Sequence, residues 1–393
     1  MSLSVSERMA RVRPSPTSAV VTLAAELKAQ GRDIISLGAG EPDFPTPPHV
    51  CEAAIQAIRA GETRYTPVAG TRALKEAICR KFERENGLTY GLDQVLVSVG
   101  AKHTLFNACQ ALLDPGDEAV VPSPYWVSYP DMVRVAGAEP VIIDTGIDTG
   151  FKISPAALDA ALTDRTRVLF LNSPSNPTGA CYTRAELAAL GEVLLEHPDV
   201  VVLADDIYEH IYWGSEPFTT LARAVPALYE RTLTVNGVSK AYAMTGWRIG
   251  YAGGPRKLIT AMTTIQSQTT SNPCSISQAA AIAALDGDQA CVREMAAAYR
   301  ARHDYVVEAL NALPGFECRQ SAGAFYAFPR VEGAIEALGL PDDTALVAHF
   351  LKEADVAMVP GSAFGAPGYV RISFACSMDE LREAVRRIGN ALM

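Results

Sequence analysis

Lys240 sits in "TVNGVSKAYAMTGWRIGYAGG" (residues 234–254), just past a β-branched run, among small and apolar neighbours and with Arg248 close behind. Desolvation and a nearby cation both push a lysine toward the neutral amine, the form that attacks a carbonyl carbon. The competing reading is a solvated surface lysine. A second stretch, "DVVVLADDIYEH", runs five apolar residues into Asp205 and Asp206, then Tyr208. A carboxylate that ends a buried strand costs several kcal/mol unless it is paired or hydrogen-bonded. A helix N-cap would account for one aspartate, and a carboxylate facing a cationic heterocycle for the other.

Three further stretches supply complementary groups. In "VLVSVGAKHTLFNAC" a strand ends and Gly100, Ala101 and Lys102 open a helix, so free N–H groups, the helix dipole and a cation would face an anion. Strand-to-helix turns with a glycine are common, so this stretch alone does not decide for a phosphate. Trp126 in "SPYWVSYP" is either a core aromatic or a plate on which a ring stacks. "LFLNSPSNPTG" places Asn172 and Asn176 at a strand mouth, where an amide could bond a phenolic oxygen or a carboxylate; turn chemistry explains its Ser, Pro and Gly. Nucleophilic lysine, carboxylate, aromatic plate and phosphate cup together match pyridoxal 5'-phosphate, which offers an aldehyde, a pyridine nitrogen, a ring and a phosphate.

Other chemistries lack their motifs. There is no P-loop, "GAGEPD" is not completed to a dinucleotide-binding glycine pattern, and no G-x-S-x-G elbow occurs. The eight cysteines are scattered without C-x-x-C spacing, and the six histidines form no H-E-x-x-H cluster, so no metal site is expected. The net charge is 34 − 44 = −10, which argues against nucleic acid as a partner. "MSLSVSERMARVRPSP" has no apolar signal-peptide core and no later run is long enough to span a bilayer, so a cytoplasmic protein with no membrane partner is expected.

The elements that must position these residues follow from pattern. Short Val/Ile/Leu runs, "QVLVSVG", "EAVVPSP", "PVIID", "RVLFLNSP", "DVVVLADD", "RTLTVNG" and "RIGYAGG", alternate with helix-patterned stretches between about residues 46 and 290. Runs without polar alternation predict strands buried on both faces. The fold class is therefore α/β, a mostly parallel central sheet covered by helices, with ligands at the carboxyl ends of its strands. After about residue 288 the texture changes: a long helical stretch, 291–313, then "GFECRQSAGAFYAFPRV" read as strands, "AMVPGSAFG" read as a loop, and the strand "YVRISFACS". This predicts a large cofactor-binding domain, 46–290, and a smaller α+β domain from 1–45 and 291–393.

With these motifs in place, the chain resembles the class I (fold type I) pyridoxal-phosphate-dependent aminotransferases, closest to bacterial aspartate aminotransferases. The ordered set spans nearly the whole chain: "SLGAGEPDFPTP", "RYTPVAGTRALKEAI", "SPYWVSYPDMV", "NSPSNPTGA", "ADDIYEHI", "VNGVSKAYAMTGWRIGY" and "VPGSAFG…YVRISFA". The resemblance implies that Lys240 carries the cofactor as an internal aldimine and then acts as the base of a 1,3-proton shift. It implies that Asp205 pairs with the pyridine nitrogen, that Tyr208 and Asn176 bond the phenolic oxygen, and that Trp126 stacks on the ring. Gly100, Ala101, Lys102 and Arg248 would hold the phosphate. Tyr65 would reach the phosphate of a neighbouring subunit, which implies a homodimer with shared active sites. Arg371 would clamp the substrate α-carboxylate, helped by the Gly40 N–H.

The chain departs from the family twice. A serine or threonine usual three residues before the lysine is Gly237 here, with Ser239 next to Lys240, so the phosphate leans on Lys102 and Arg248. No arginine or lysine occurs between Lys257 and Arg293, where one branch places the arginine for a distal carboxylate; Ser15 and Thr17 are polar substitutes. The expected activity is amino transfer between aspartate and 2-oxoglutarate. An aromatic or prephenate aminotransferase is the alternative; a lyase or β-decarboxylase and a non-catalytic ligand sensor rank below it.

Overall fold

The computed structural model describes residues 3–12, 14 and 16–393. Its strands, in chain order, are β1 Ile35–Ser36, β2 Val95–Ser98, β3 Glu118–Ser123, β4 Glu139–Asp144, β5 Thr166–Asn172, β6 Val201–Asp205 and β7 Thr232–Gly237. They continue with β8 Gly250–Gly253, β9 Tyr326–Ala327, β10 Val356–Ala357, β11 Val359–Pro360 and β12 Val370–Ser373. Seven form one sheet in the order β2-β8-β7-β6-β5-β3-β4. All the neighbours from β7 to β4 are parallel, whereas β8 is antiparallel to both β2 and β7.

Each of the seven apolar runs is a strand of this sheet, and the central ones are buried on both faces, as unalternating runs require. β4 is a correction. It lies at the sheet edge, and Glu139, Ile142 and Asp144 face solvent. The antiparallel β8 needs glycine because it passes close to other backbone. A Cβ on Gly250 would lie 2.1 Å from the Ala101 nitrogen, and one on Gly253 would lie 2.3 Å from the Tyr90 ring.

Local signals set the helices that cover the sheet. Thr183 and Glu186 form a reciprocal cap on Arg184–Glu196, and Ser377 and Glu380 do the same for Met378–Ala391. The helix Ala101–Leu112 starts at Gly100, whose φ of +83° suits a residue without a Cβ.

Outside this sheet, β11-β12-β9 make a three-stranded antiparallel sheet, and β1 pairs with β10 in parallel, Ile35 opposite Val356. The 22-residue helix Ala290–Asn311 packs here on a core of Tyr299, Phe325, Phe350 and Phe374. Two expectations fail. In residues 315–331 only Tyr326–Ala327 is a strand, with an isolated bridge from Glu317 to Arg330. The stretch 357–365, expected as a loop, contains β11 and the end of β10 before a 3-10 turn, Gly361–Phe364. Both elements are two residues long, too short for a periodic signal.

Candidate active site

A cavity of about 470 Å³ opens at the carboxyl ends of β5, β6 and β7, where the polar residues that end the apolar runs are gathered. Lys240, Asp205, Tyr208, Asn176, Arg371 and Gly40 line it, as do Ala101, Lys102, Trp126 and Arg248. Gly100 stands behind Arg248: a Cβ on it would lie 2.2 Å from Arg248 Nη2, so its bare backbone lets the guanidinium approach the helix start. Arg248 itself adopts φ +54° and donates from Nη1 to the Thr245 carbonyl at 2.7 Å. Two cations and a helix N-terminus therefore converge, Lys102 with its amine 5.0 Å from the Trp126 ring centre.

Lys240 Nζ donates to the Gly40 carbonyl at 2.5 Å. Burial, then the charges of Arg371 and Arg248, bring its pKa down to about 8. Asp205 ends β6. Its Oδ2 accepts from Tyr129 Oη at 2.6 Å and its Oδ1 from the Ile207 N–H at 3.4 Å. Burial raises its pKa to about 6 against those two bonds and Lys240. Asp205 is thus a buried carboxylate held by one tyrosine and one backbone N–H. Asp206 is also buried, its pKa pushed well up, mainly by burial.

On the other side of the cavity, Arg371 is 2% exposed, donating to Asn176 Oδ1 at 3.0 Å and to the Gly38 carbonyl at 2.7 Å, with Nε buried and unpartnered. A buried guanidinium with a spare donor has hydrogen-bonding capacity left for an anion. Its Cζ lies 4.6 Å from the Tyr326 ring centre and 4.9 Å from that of Phe364. Tyr326 also shares a 2.8 Å hydroxyl contact with Tyr208.

Some expected residues have other work. Both ends of the Asn172 amide are used by backbone: it donates to the Asp205 carbonyl and accepts from the Asn176 N–H, each at 2.8 Å. Asn172 therefore ties the β5 turn to β6, and Asn176 is the amide that meets Arg371. Tyr65 lies outside the cavity, 91% exposed, at a surface hollow beside Ser275 and Ile282. Thr17 and Ser239 line the cavity, and Ser15 lies outside the described residues. At Gly237 a Cβ would meet the Ile249 carbonyl at 3.0 Å and Ile207 Cδ1 at 3.1 Å, so β7 and β8 leave little room for a side chain here. Tyr129 and Tyr326 were not anticipated. Tyr129 falls within the "SPYWVSYP" stretch, but no pattern marks a tyrosine as the partner of an aspartate 76 positions on.

The family described as "Aminotransferase class I and II" matches residues 32–388. The chain belongs to that family. This aminotransferase is 54% identical over 396 residues to the aspartate/prephenate aminotransferase of Nitrosomonas europaea, covering 99% of this chain and 100% of the relative. It is 53% identical to an aspartate aminotransferase of Rhizobium meliloti, over 94% and 91% of the two chains. The solved aspartate aminotransferase of R. meliloti superposes on the enzyme with a TM-score of 0.95 at 50% identity, over 100% and 99% of the chains. That of Thermus thermophilus, solved with maleate, gives 0.94 at 45% identity, over 99% and 100%. The fold is that of the fold type I enzymes. Among the described residues no helix is long and apolar enough to cross a membrane.

Proposed function

We propose that this aminotransferase uses pyridoxal 5'-phosphate to move an amino group between aspartate and 2-oxoglutarate. The reading is carried by the convergence, in one cavity, of an amine lowered to about 8, a buried carboxylate and a buried guanidinium with a donor to spare. The residues present fit the cofactor's groups, including a glycine cradle under two cations. When bound, pyridoxal phosphate supplies an aldehyde carbon and a ring that takes up the electron pair left when the substrate's Cα loses a proton.

The protein's own groups do the rest. Lys240 would hold the cofactor through its aldehyde carbon and, with its amine free, would carry the proton away from the substrate's Cα. Asp205 would hold a proton at the pyridine nitrogen. Tyr208 and Asn176 would donate to the phenolic oxygen and Trp126 would cover the ring. Gly100, Ala101, Lys102 and Arg248 would hold the phosphate. Arg371 would take the α-carboxylate, with Gly40 lending its N–H. The division into domains 46–290 and 1–45 with 291–393 belongs to the same reading, the smaller one moving over bound substrate. So do a homodimer, with Tyr65 serving the neighbouring site, and a cytoplasmic location.

Relatives named aspartate/prephenate aminotransferase at 50–54% identity favour a second donor pair with prephenate. A donor–acceptor panel read by product formation decides: a kcat/KM for aspartate at least tenfold above phenylalanine is expected, and no amino transfer from aspartate would end the proposal. Cofactor capture should speed up with rising pH through about 8, the pKa of Lys240. Lys240→Ala should abolish both the visible absorbance of the loaded protein and the first half-reaction.

A further inference from the structure

Lys81, the last residue of the helix Arg72–Lys81, has no exposed surface and no part in the chemistry above. Its ammonium pairs with Glu209, donates to Asn86 Oδ1 at 2.8 Å and stands 3.6 Å from Glu85 Oε2. Asn86 Nδ2 closes the ring by donating to Glu209 Oε2 at 2.6 Å. His210 extends it, with Nε2 2.9 Å from Glu85 and Nδ1 3.6 Å from Glu209. Glu85, Glu209 and His210 are close enough together to hold a metal ion, but Lys81 brings its own ammonium to the two carboxylates.

Two segments meet in this cluster. One is the helix end, residues 81–86. The other is the turn after β6, tightened by Asp206 N–H to the Val235 carbonyl and Glu209 N–H to the Asp206 carbonyl, both at 2.9 Å, and by Ile211 N–H to the Tyr208 carbonyl at 2.8 Å. That turn sends Asp205 and Tyr208 to the cavity and Glu209 to Lys81. Burying an ion pair of this kind adds little net stability against apolar residues of the same size, and the best-attested reason to keep one is to specify a conformation. Charged and titratable groups facing the pair are Glu85, His210 and Asp206, with Tyr242 and Tyr251 beyond them. Against the upward push of burial, Lys81 and His210 hold the Glu209 carboxyl below its ordinary range.

We propose that the Lys81–Glu209 pair is a positioning device, fixing from beneath the cavity the turn that aims Asp205 and Tyr208 at the cofactor. The assignment rests on the aminotransferase reading of that cavity. Its consequence is spectroscopic. A Tyr208 hydroxyl donating to the cofactor's phenolic oxygen draws off negative charge, which lowers the proton affinity of the nitrogen beside that oxygen. A turn that drifts weakens the donation and moves the pH titration of the visible absorbance upward.

The test compares wild type, Lys81→Met, Glu209→Met and the double variant. The measurements are melting of the cofactor-free protein, the absorbance titration with pyridoxal phosphate bound, and steady-state kinetics with aspartate. Each single variant strands one buried charge and should melt well below wild type. The double variant removes both charges and should regain most of that loss. It should still titrate about half a pH unit or more above wild type, with kcat down about tenfold and KM for aspartate little changed. A double variant with wild-type titration and kcat overturns the proposal and leaves the pair a structural tie. If the double variant does not fold, Glu209→Gln, which keeps the side-chain shape and removes the ion pair, must show the same upward shift, and an unshifted midpoint there is equally fatal. A wild-type protein without any cofactor absorbance would instead bring down the pyridoxal-phosphate reading of the cavity.

Discussion

Asp205 carries a cost that its proposed pairing with the cofactor's pyridine nitrogen explains. Its carboxyl is raised from 3.8 to about 6 by burial, so the folded protein binds a proton in this range more tightly than the unfolded chain. Stability contributed by the neutral form is complete below pH 3.8 and is lost as pH rises through about 6. Asp205→Asn should therefore stabilise the cofactor-free protein at pH 7.5, by on the order of 1–3 kcal/mol, while eliminating activity. Urea unfolding checks it: the two proteins should differ at pH 7.5 and converge near pH 4, and equal stability at pH 7.5 would refute the assigned environment. At Arg371, lysine keeps the charge and loses the planar fork, so Arg371→Lys should cut kcat/KM for every amino donor by about a hundredfold or more. Equal losses from donors of different side chains identify the α-carboxylate as the group it holds.

At the scale of elements, the site depends on glycines where backbones cross. A Cβ at Gly250 meets the main chain of Ala101 at 2.1 Å, and neither strand nor helix can yield without disturbing the sheet. Gly250→Ala should cost several kcal/mol, in the range of overpacked cores. Gly100→Ala differs in kind. Its nearest obstacle is the far end of the Arg248 side chain, so the protein should fold with a loss of about 1–3 kcal/mol from a φ of +83° with ψ 158°, which residues with a Cβ rarely adopt. Cofactor affinity should fall about tenfold or more because the guanidinium is displaced. Melting curves and cofactor titrations separate the two: stability is the larger casualty at Gly250, affinity at Gly100. The seven strands were legible because apolar runs in a parallel sheet carry no polar alternation. β10 and β11 were not, and β9 was read only as part of a longer strand stretch, since two residues hold no period and their pairing is set by what packs around them.

For the whole molecule, the open question is what stands opposite Tyr65. A tyrosine at 91% exposure contributes nothing to its own chain's core. Tyr65→Phe should thus leave the melting temperature of the cofactor-free protein unchanged. In the proposed homodimer it should nonetheless weaken cofactor binding severalfold. Sedimentation together with cofactor titration checks both parts, and unaltered affinity in a demonstrated dimer would remove Tyr65 from the site.

Residue type and order determined most of the chemistry by themselves. Lys240, Asp205, Asn176 and Trp126 each follow a buried run, and parallel strands bring their carboxyl ends to one edge, so the local pattern already placed them together. Partnership across the fold was decided only in three dimensions. Tyr129 meets Asp205 across 76 positions, Tyr326 meets Tyr208 across 118, and Lys81 meets Glu209 across 128. Each contact joins segments that no periodicity links, and its geometry comes from how helices and sheets pack. That packing also assigned the two asparagines, turning Asn172 inward to the backbone and leaving Asn176 for the guanidinium.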